Sequence, residues 1–165
     1  GTTAQRLAEA HAQVSALLRE LPPTAPDVAR LGLVEALRRF LDGEFRNSFV
    51  GVVWQVDEQA ATAVAKLSSL QAETLYYAVR ELIRNAARHA RRDGGVTLGM
   101  TIAGVDGGLE VVVADDGQGP PDGSVSSREA AGHGLALHTT LMAIAGGSLV
   151  VERGTDGGMV GRIRI

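Results

Sequence analysis

Glu81, Asn85, Arg88 and His89 stand together in the stretch Glu81-Leu82-Ile83-Arg84-Asn85-Ala86-Ala87-Arg88-His89-Ala90. Glu81, Asn85 and His89 recur at intervals of four, so a helix here carries them near one face, with Arg88 beside them. Leu75, Val79, Leu82, Ile83, Ala86 and Ala90 mark its buried side. A carboxylate, a carboxamide, a guanidinium and an imidazole on a partly buried helix are costly to desolvate without partners. A magnesium ion carrying a polyphosphate satisfies all of them: Asn85 on the metal, Arg88 on phosphate oxygens, Glu81 on a water or an acceptor group. The same spacing also describes the solvated face of an ordinary amphipathic helix, so other parts of the chain must decide between the two.

Two glycine clusters bear on that choice. Asp115-Asp116-Gly117-Gln118-Gly119 directly follows the apolar run Leu109-Glu110-Val111-Val112-Val113-Ala114, and Gly132-His133-Gly134-Leu135 directly precedes a helical stretch. Free backbone N–H groups at a helix N-terminus, approached closely where glycine has no side chain, bind phosphate. No Gly-Lys-Ser/Thr element occurs, which excludes a P-loop. In this order and spacing the three blocks resemble the nucleotide-binding boxes of the superfamily of gyrase, the Hsp90 chaperones, bacterial histidine kinases and the MutL mismatch-repair proteins. Within it, the chain is most similar to the catalytic and ATP-binding domain of a two-component sensor histidine kinase.

The resemblance implies a role for each box. Asp115 accepts a hydrogen bond from the exocyclic amine of adenine, which selects against guanine, whose carbonyl leaves the carboxylate unpaired. Gly117 and Gly119 let the backbone turn sharply and pass close to the base. Gly132, His133, Gly134 and Leu135 open the helix that meets the phosphates. Asn85 holds Mg²⁺. Glu81 activates water or supports transfer to a histidine, and Glu81 with Asn85 form the catalytic pair. Arg88, joined by Arg128 from the loop between the clusters, neutralises phosphate charge; phosphoryl transfer needs mostly positioning and charge neutralisation. His89 lies against the ribose or the base edge, or is a packing histidine. Arg84 is expected on the surface. Gly157-Gly158 resembles a degenerate last glycine box, with Met159 where a threonine is usual, and reads more simply as a hairpin turn. The loop lacks a phenylalanine box, and Ala136 replaces a common glycine. ATP and Mg²⁺ are the implied cofactors.

Other constellations carry less. His133 and His138 lie five apart with no third ligand at useful spacing, so no zinc site is expected. Trp54, Tyr76 and Tyr77 read as core or rim aromatics. The 165 residues suffice for one domain with a short appendage, and the net charge of −3 offers no basic footprint for nucleic acid. The chain has no cysteine, which excludes disulfides and thiolate metal sites and suits a reducing cytoplasm. No apolar run is long enough to cross a bilayer, so no membrane contact is expected within the chain. The start at Gly1-Thr2-Thr3 reads as a fragment of a longer protein, cytoplasmic here, whose parent is either soluble or membrane-anchored.

These residues must be positioned by flanking elements. Ala4 to Leu21 reads as a helix with Leu7, His11, Val14, Leu17, Leu18 and Leu21 in a stripe, stopped by Pro22-Pro23. Val28 to Phe45 reads as a second helix capped by Asp27, Val50 to Val56 as a strand, and Gln71 to Arg91 as the helix of Glu81 and Asn85. Val96 to Ala103 and Leu109 to Ala114 form a hairpin about Val105-Asp106-Gly107-Gly108. Residues 118–131 read as a mobile loop and candidate lid, Gly134 to Ala145 as a helix, and Ser148 to Arg153 and Met159 to Ile165 as the last strands. The result is an α+β fold: a two-layer α/β sandwich with a mixed, mostly antiparallel sheet, preceded by an N-terminal helix, and known in the similar family as the Bergerat fold.

The segment Leu18-Arg19-Glu20-Leu21-Pro22-Pro23 with Leu31-Gly32-Leu33-Val34-Glu35-Ala36-Leu37 resembles the junction of nitrate-sensor-type kinases. It divides the chain at residue 23: residues 1–23 form the tail of the second dimerisation helix and a proline linker, and 24–165 the catalytic and ATP-binding domain. The implied partners are the chain's own dimerisation domain with the acceptor histidine, a response regulator, and a second copy in the full-length homodimer. His11 lacks the acidic neighbour of an acceptor and reads as a helix-packing histidine. Two alternatives share the pocket: an anti-sigma-factor serine kinase, and a degenerate module that binds nucleotide weakly as a scaffold.

Overall fold

Five strands, four of them in the second half of the chain, form one sheet. The computed structural model describes residues 2–20, 26–89, 93–117, 132–155 and 157–165, with only the backbone for 15–20, 26, 89, 132 and 133. The strands are β1 (Gly51–Val56), β2 (Thr97–Val105), β3 (Gly108–Asp115), β4 (Ser148–Arg153) and β5 (Met159–Arg164). Their order is β1-β2-β3-β5-β4; β1 runs parallel to β2 and the other neighbours are antiparallel. The helices are α1 (Thr2–Glu20), α2 (Pro26–Leu31), α3 (Leu33–Glu44), α4 (Ala60–Ala65), α5 (Ser69–His89) and α6 (Gly132–Ile144). This is the mixed, mostly antiparallel α/β sandwich that the sequence implied.

One face of the sheet is buried under the helices. Leu98, Met100 and Ile102 of β2, Leu109, Val111 and Val113 of β3, and Ile163 of β5 meet Leu37 of α3, Leu75, Val79 and Ile83 of α5, and Met142 of α6. The two-residue period of each strand puts these side chains on one face, and burial of each stabilises by about 1.5–3 kcal/mol. The other face carries an ionic cluster in which Glu110 pairs with Arg164 at 2.7 Å and with Arg162 at 3.6 Å, and Arg162 with Glu152 at 3.8 Å.

Local chemistry sets the boundaries. Ser68 and Gln71 cap α5 reciprocally: the Ser68 N–H donates to Gln71 Oε1 at 3.0 Å, and the Gln71 N–H to Ser68 Oγ at 3.1 Å. Asp106 and Gly107, both at positive φ, make the tight turn between β2 and β3. Gly146 at φ 93° ends α6, with the Gly147 N–H returning to the Met142 carbonyl at 2.8 Å. Gly32 at φ 85° breaks the single helix expected over 28–45 into α2 and α3. A short α4 stands between β1 and α5, where the sequence reading placed no element.

The N-terminal helix α1 is exposed from Thr2 through Gln13, and Leu7 is 73% exposed. His11, read as a packing histidine, is therefore exposed as well. Tyr76 and Tyr77 are buried and Trp54 is partly buried under the Arg38 guanidinium, 4.4 Å above its ring. Among the described residues, no helix is long and apolar enough to cross a membrane.

Candidate functional site

Helix α5 carries the polar residues on its edge, beside the stripe that binds the sheet. Leu75, Val79, Leu82, Ile83 and Ala86 are buried, and Glu81 and Asn85 are partly buried on the flank facing α6. The Asn85 side-chain N–H₂ donates to the Glu81 backbone carbonyl at 2.9 Å and lies 3.4 Å from Glu81 Oε1. These contacts orient the carboxamide and turn its oxygen away from the helix. Asn85 Oδ1 is buried and has no hydrogen-bond partner among the described residues. A buried acceptor left unpaired costs about 1–3 kcal/mol. Such an oxygen is a hard neutral donor, of the kind that suits Mg²⁺ with phosphate oxygens and water completing its shell. Among the described residues, no group of three or more His, Cys, Asp or Glu is placed to hold a metal by itself.

Helix α6 packs antiparallel to α5. Gln71 near the start of α5 donates to the Ala145 carbonyl past the end of α6 at 3.1 Å, while Gly134 near the start of α6 sits against Glu81. A Cβ added at Gly134 would overlap the Glu81 carboxylate and lie 2.7 Å from its Cδ. Glycine is thus what lets the first turn of α6, with its unpaired N–H groups, approach the carboxylate. Leu135 beside it is buried.

Asp115 is the last residue of β3. It follows Leu109, Val111 and Val113 in the inward-facing set, so its side chain points under the helix layer beyond the end of the core. Burial raises its carboxyl above the usual carboxylate range, opposed by hydrogen bonds from the backbone N–H groups of Gly117 and Met159, with Asp116 adding to the rise. The Gly117 bond measures 2.9 Å. Asp116 Oδ1 accepts from the Thr97 N–H at 2.8 Å and ties this turn to the start of β2.

Register relates Asp115 to Asn85. Leu82 packs on Gly161, where an added Cβ would lie 2.7 Å from Leu82 Cδ1, and Gly161 is the register partner of Val113. One turn beyond Leu82 on α5 comes Asn85; two residues beyond Val113 on β3 comes Asp115. Helix α5 leads toward β2, whose Leu98 pairs with Asp115, so both residues stand at the same end of the sandwich.

The turn between β4 and β5, which the sequence offered only as a degenerate glycine box, is a part of this end. A Cβ at Gly158 would overlap the Asp115 carbonyl oxygen and come within 2.8 Å of Asp115 Oδ1. Gly157, at φ 91°, faces the Gly117 carbonyl. Gly157-Gly158 is a hairpin turn, as read, but it also presses on Asp115, and the adjoining Met159 N–H bonds its side chain. Two glycines directly before a strand were the available signal. Only the β3–β5 pairing shows where they land.

Arg88 is exposed, and His89 is the last residue of α5. Gly132 and His133 lie in the first turn of α6. Gly119, Arg128 and the candidate lid lie outside the described residues. Arg84, expected on the surface, pairs with Glu44 at 3.6 Å and lies 5.9 Å from the Phe40 ring centroid. Arg80 lies 4.9 Å from the Phe40, 5.7 Å from the Tyr76 and 5.3 Å from the Tyr77 ring centroid, which fastens α3 to α5.

Among solved structures, the fold is similar to the histidine kinase domain of the blue-light activated histidine kinase of Erythrobacter litoralis, with 24% identity and a TM-score of 0.63 over 81% of this chain and 58% of that one. It is also similar to the catalytic domain of the histidine kinase ThkA, at 15% identity and a TM-score of 0.61 over 81% of this chain and 90% of that one. A third similar structure is full-length ShkA in complex with AMPPNP, at 21% identity and a TM-score of 0.58 over 81% of this chain and 29% of that one. The chain thus spans 58% and 49% of the lengths of the two Erythrobacter structures. No curated protein sequence matches it. A family model matches residues 45–160, from the end of α3 through the start of β5. The chain belongs to the histidine kinase-like ATPase domain family.

Proposed function

We propose that this chain binds ATP with Mg²⁺ and donates the γ-phosphoryl group to a histidine on a dimerisation domain of the same parent protein, for relay to a response regulator. The observation that carries the reading is the buried Asn85 Oδ1, which has no partner among the described residues, at the end of the sandwich where Asp115 points inward. Asn85 Oδ1 would hold the metal, which supplies charge neutralisation to the phosphates when bound. Asp115 reads the adenine amine, with Gly117 and Gly158 giving the base a close backbone. The first turn of α6, with Gly132, His133, Gly134 and Leu135, offers backbone N–H groups to the phosphates. Arg88 supplies positive charge and His89 borders the nucleotide. Glu81, held beside Asn85, orients the attacking group.

The exposed α1, with Leu7 73% open to solvent, supports the division of the chain at residue 23 into a dimerisation-helix tail and a catalytic domain. A long helix whose described side chains are exposed, with the apolar Leu7 among them, is expected to pack on another helix. This supports the reading as a nitrate-sensor-like kinase over that as an anti-sigma-factor serine kinase.

The test supplies the chain with Mg-ATP and a separately made two-helix acceptor domain from its own parent protein. Acid-labile phosphohistidine on that domain is expected. Acid-stable phosphoserine on an added antagonist protein, or nucleotide binding with no transfer, overturns the reading.

A further inference from the structure

His138 is the one polar residue among the buried side chains of the described core, at 6% exposure. It lies four residues after Gly134 on α6, on the same helix face, and Gly134 is the residue set against the Glu81 carboxylate. Because α5 and α6 run antiparallel, this face of α6 carries His138 along the flank of α5 that bears Glu81. The charged groups that act on its imidazole all come from α5: Glu81 most strongly, then Arg80 and Arg84. Burial lowers its pKa below the usual histidine value, opposed by Glu81, so the ring is neutral and keeps one N–H and one lone pair.

Nδ1 of this ring is buried and has no hydrogen-bond partner among the described residues. An apolar residue would fill the position without that unpaired atom. The Glu81 carboxylate is correspondingly under-held: the only side-chain donor near it among the described residues is Asn85, at the long distance of 3.4 Å. A neutral imidazole can hold a carboxylate by a hydrogen bond without the full charge of an arginine, so the carboxylate stays able to accept a proton.

We infer that His138 is a positioning residue that holds Glu81 through one bound water, in the orientation in which it meets the phosphoryl-transfer centre. This deepens the proposed function and rests on it for the role of Glu81. The contact itself does not depend on that role.

The experiment has two arms on the intact chain. In the first, imidazole ¹⁵N resonances of His138 are compared in the wild type, Glu81→Gln and the remote control Glu110→Gln. A shift of the His138 signals with Glu81→Gln alone is expected; no shift overturns the inference, whether or not the chain binds ATP. In the second, His138→Phe and His138→Gln are compared in transfer to the separately supplied acceptor domain. His138→Phe should lower kcat about 10-fold with KM for ATP unchanged, and His138→Gln should restore most of the rate. Equal rates in all three proteins overturn it, as does an equal loss in both variants. If the wild type binds no ATP the proposed function fails, while the resonance arm still decides the contact.

Discussion

Gly158 and the main chain of Asp115 are in direct apposition: the place a Cβ would occupy at Gly158 is filled by the Asp115 carbonyl oxygen. The β4–β5 turn is therefore a wall of the candidate site rather than a remote loop. Backbone on both sides leaves nothing flexible to yield. Gly158→Ala should destabilise the fold by about 1–3 kcal/mol and weaken ATP binding by displacing Asp115. Gly43→Ala, on α3 with nothing within 4 Å of the added methyl, is the control. It should be stabilising by about 0.5–1 kcal/mol. Chemical denaturation with calorimetric titration of ATP checks both, and equal stability of the two variants would remove Gly158 from the wall.

Asp115 costs stability at the position where the proposed site reads adenine. Burial raises its carboxyl above the ordinary value, so the folded protein holds this proton more tightly than the unfolded chain. Its favourable contribution is present below the unfolded value and is lost as pH rises through the folded one. At neutral pH the ionised group then costs stability. Asp115→Asn should raise Tm at pH 7, and the gain over the wild type should shrink as the solution is acidified through the carboxylate range. The same variant should lose at least ~10-fold in ATP affinity and most of its preference for adenine over guanine. A variant with lower Tm at pH 7 and unchanged base preference would contradict both halves of the argument.

Asn85 links metal to nucleotide in the proposed site. Asn85→Ala removes the buried oxygen that has no partner among the described residues while leaving the apolar stripe of α5 intact. Mg-ATP affinity should fall by about 10- to 100-fold, with a much smaller change for ATP measured in chelator. Titration with and without Mg²⁺ separates the two. Equal losses under both conditions would show that Asn85 touches the nucleotide and not the metal.

The two-residue and four-residue periods of the chain determined a good deal alone. Alternation in Leu98–Ile102 and Leu109–Val113 fixed which residues line the core, because a strand offers no other way to bury them together. The Glu81–Asn85 spacing fixed that these two side chains share an edge of α5, since helical geometry is local. Asp115 was legible as a strand-end carboxylate for the same reason.

Relations across the chain were left to the tertiary structure. That Gly157-Gly158 abuts Asp115 follows from the pairing of β3 with β5, a contact between residues more than forty apart that no local period encodes. The break at Gly32 depends on a positive φ that the run of helix-favouring residues around it conceals. His138 stood in the sequence as one of two histidines with no third metal ligand at useful spacing. Its burial came only from the antiparallel packing of α6 on α5, which set a position on a helical wheel along the helix that bears the candidate catalytic carboxylate.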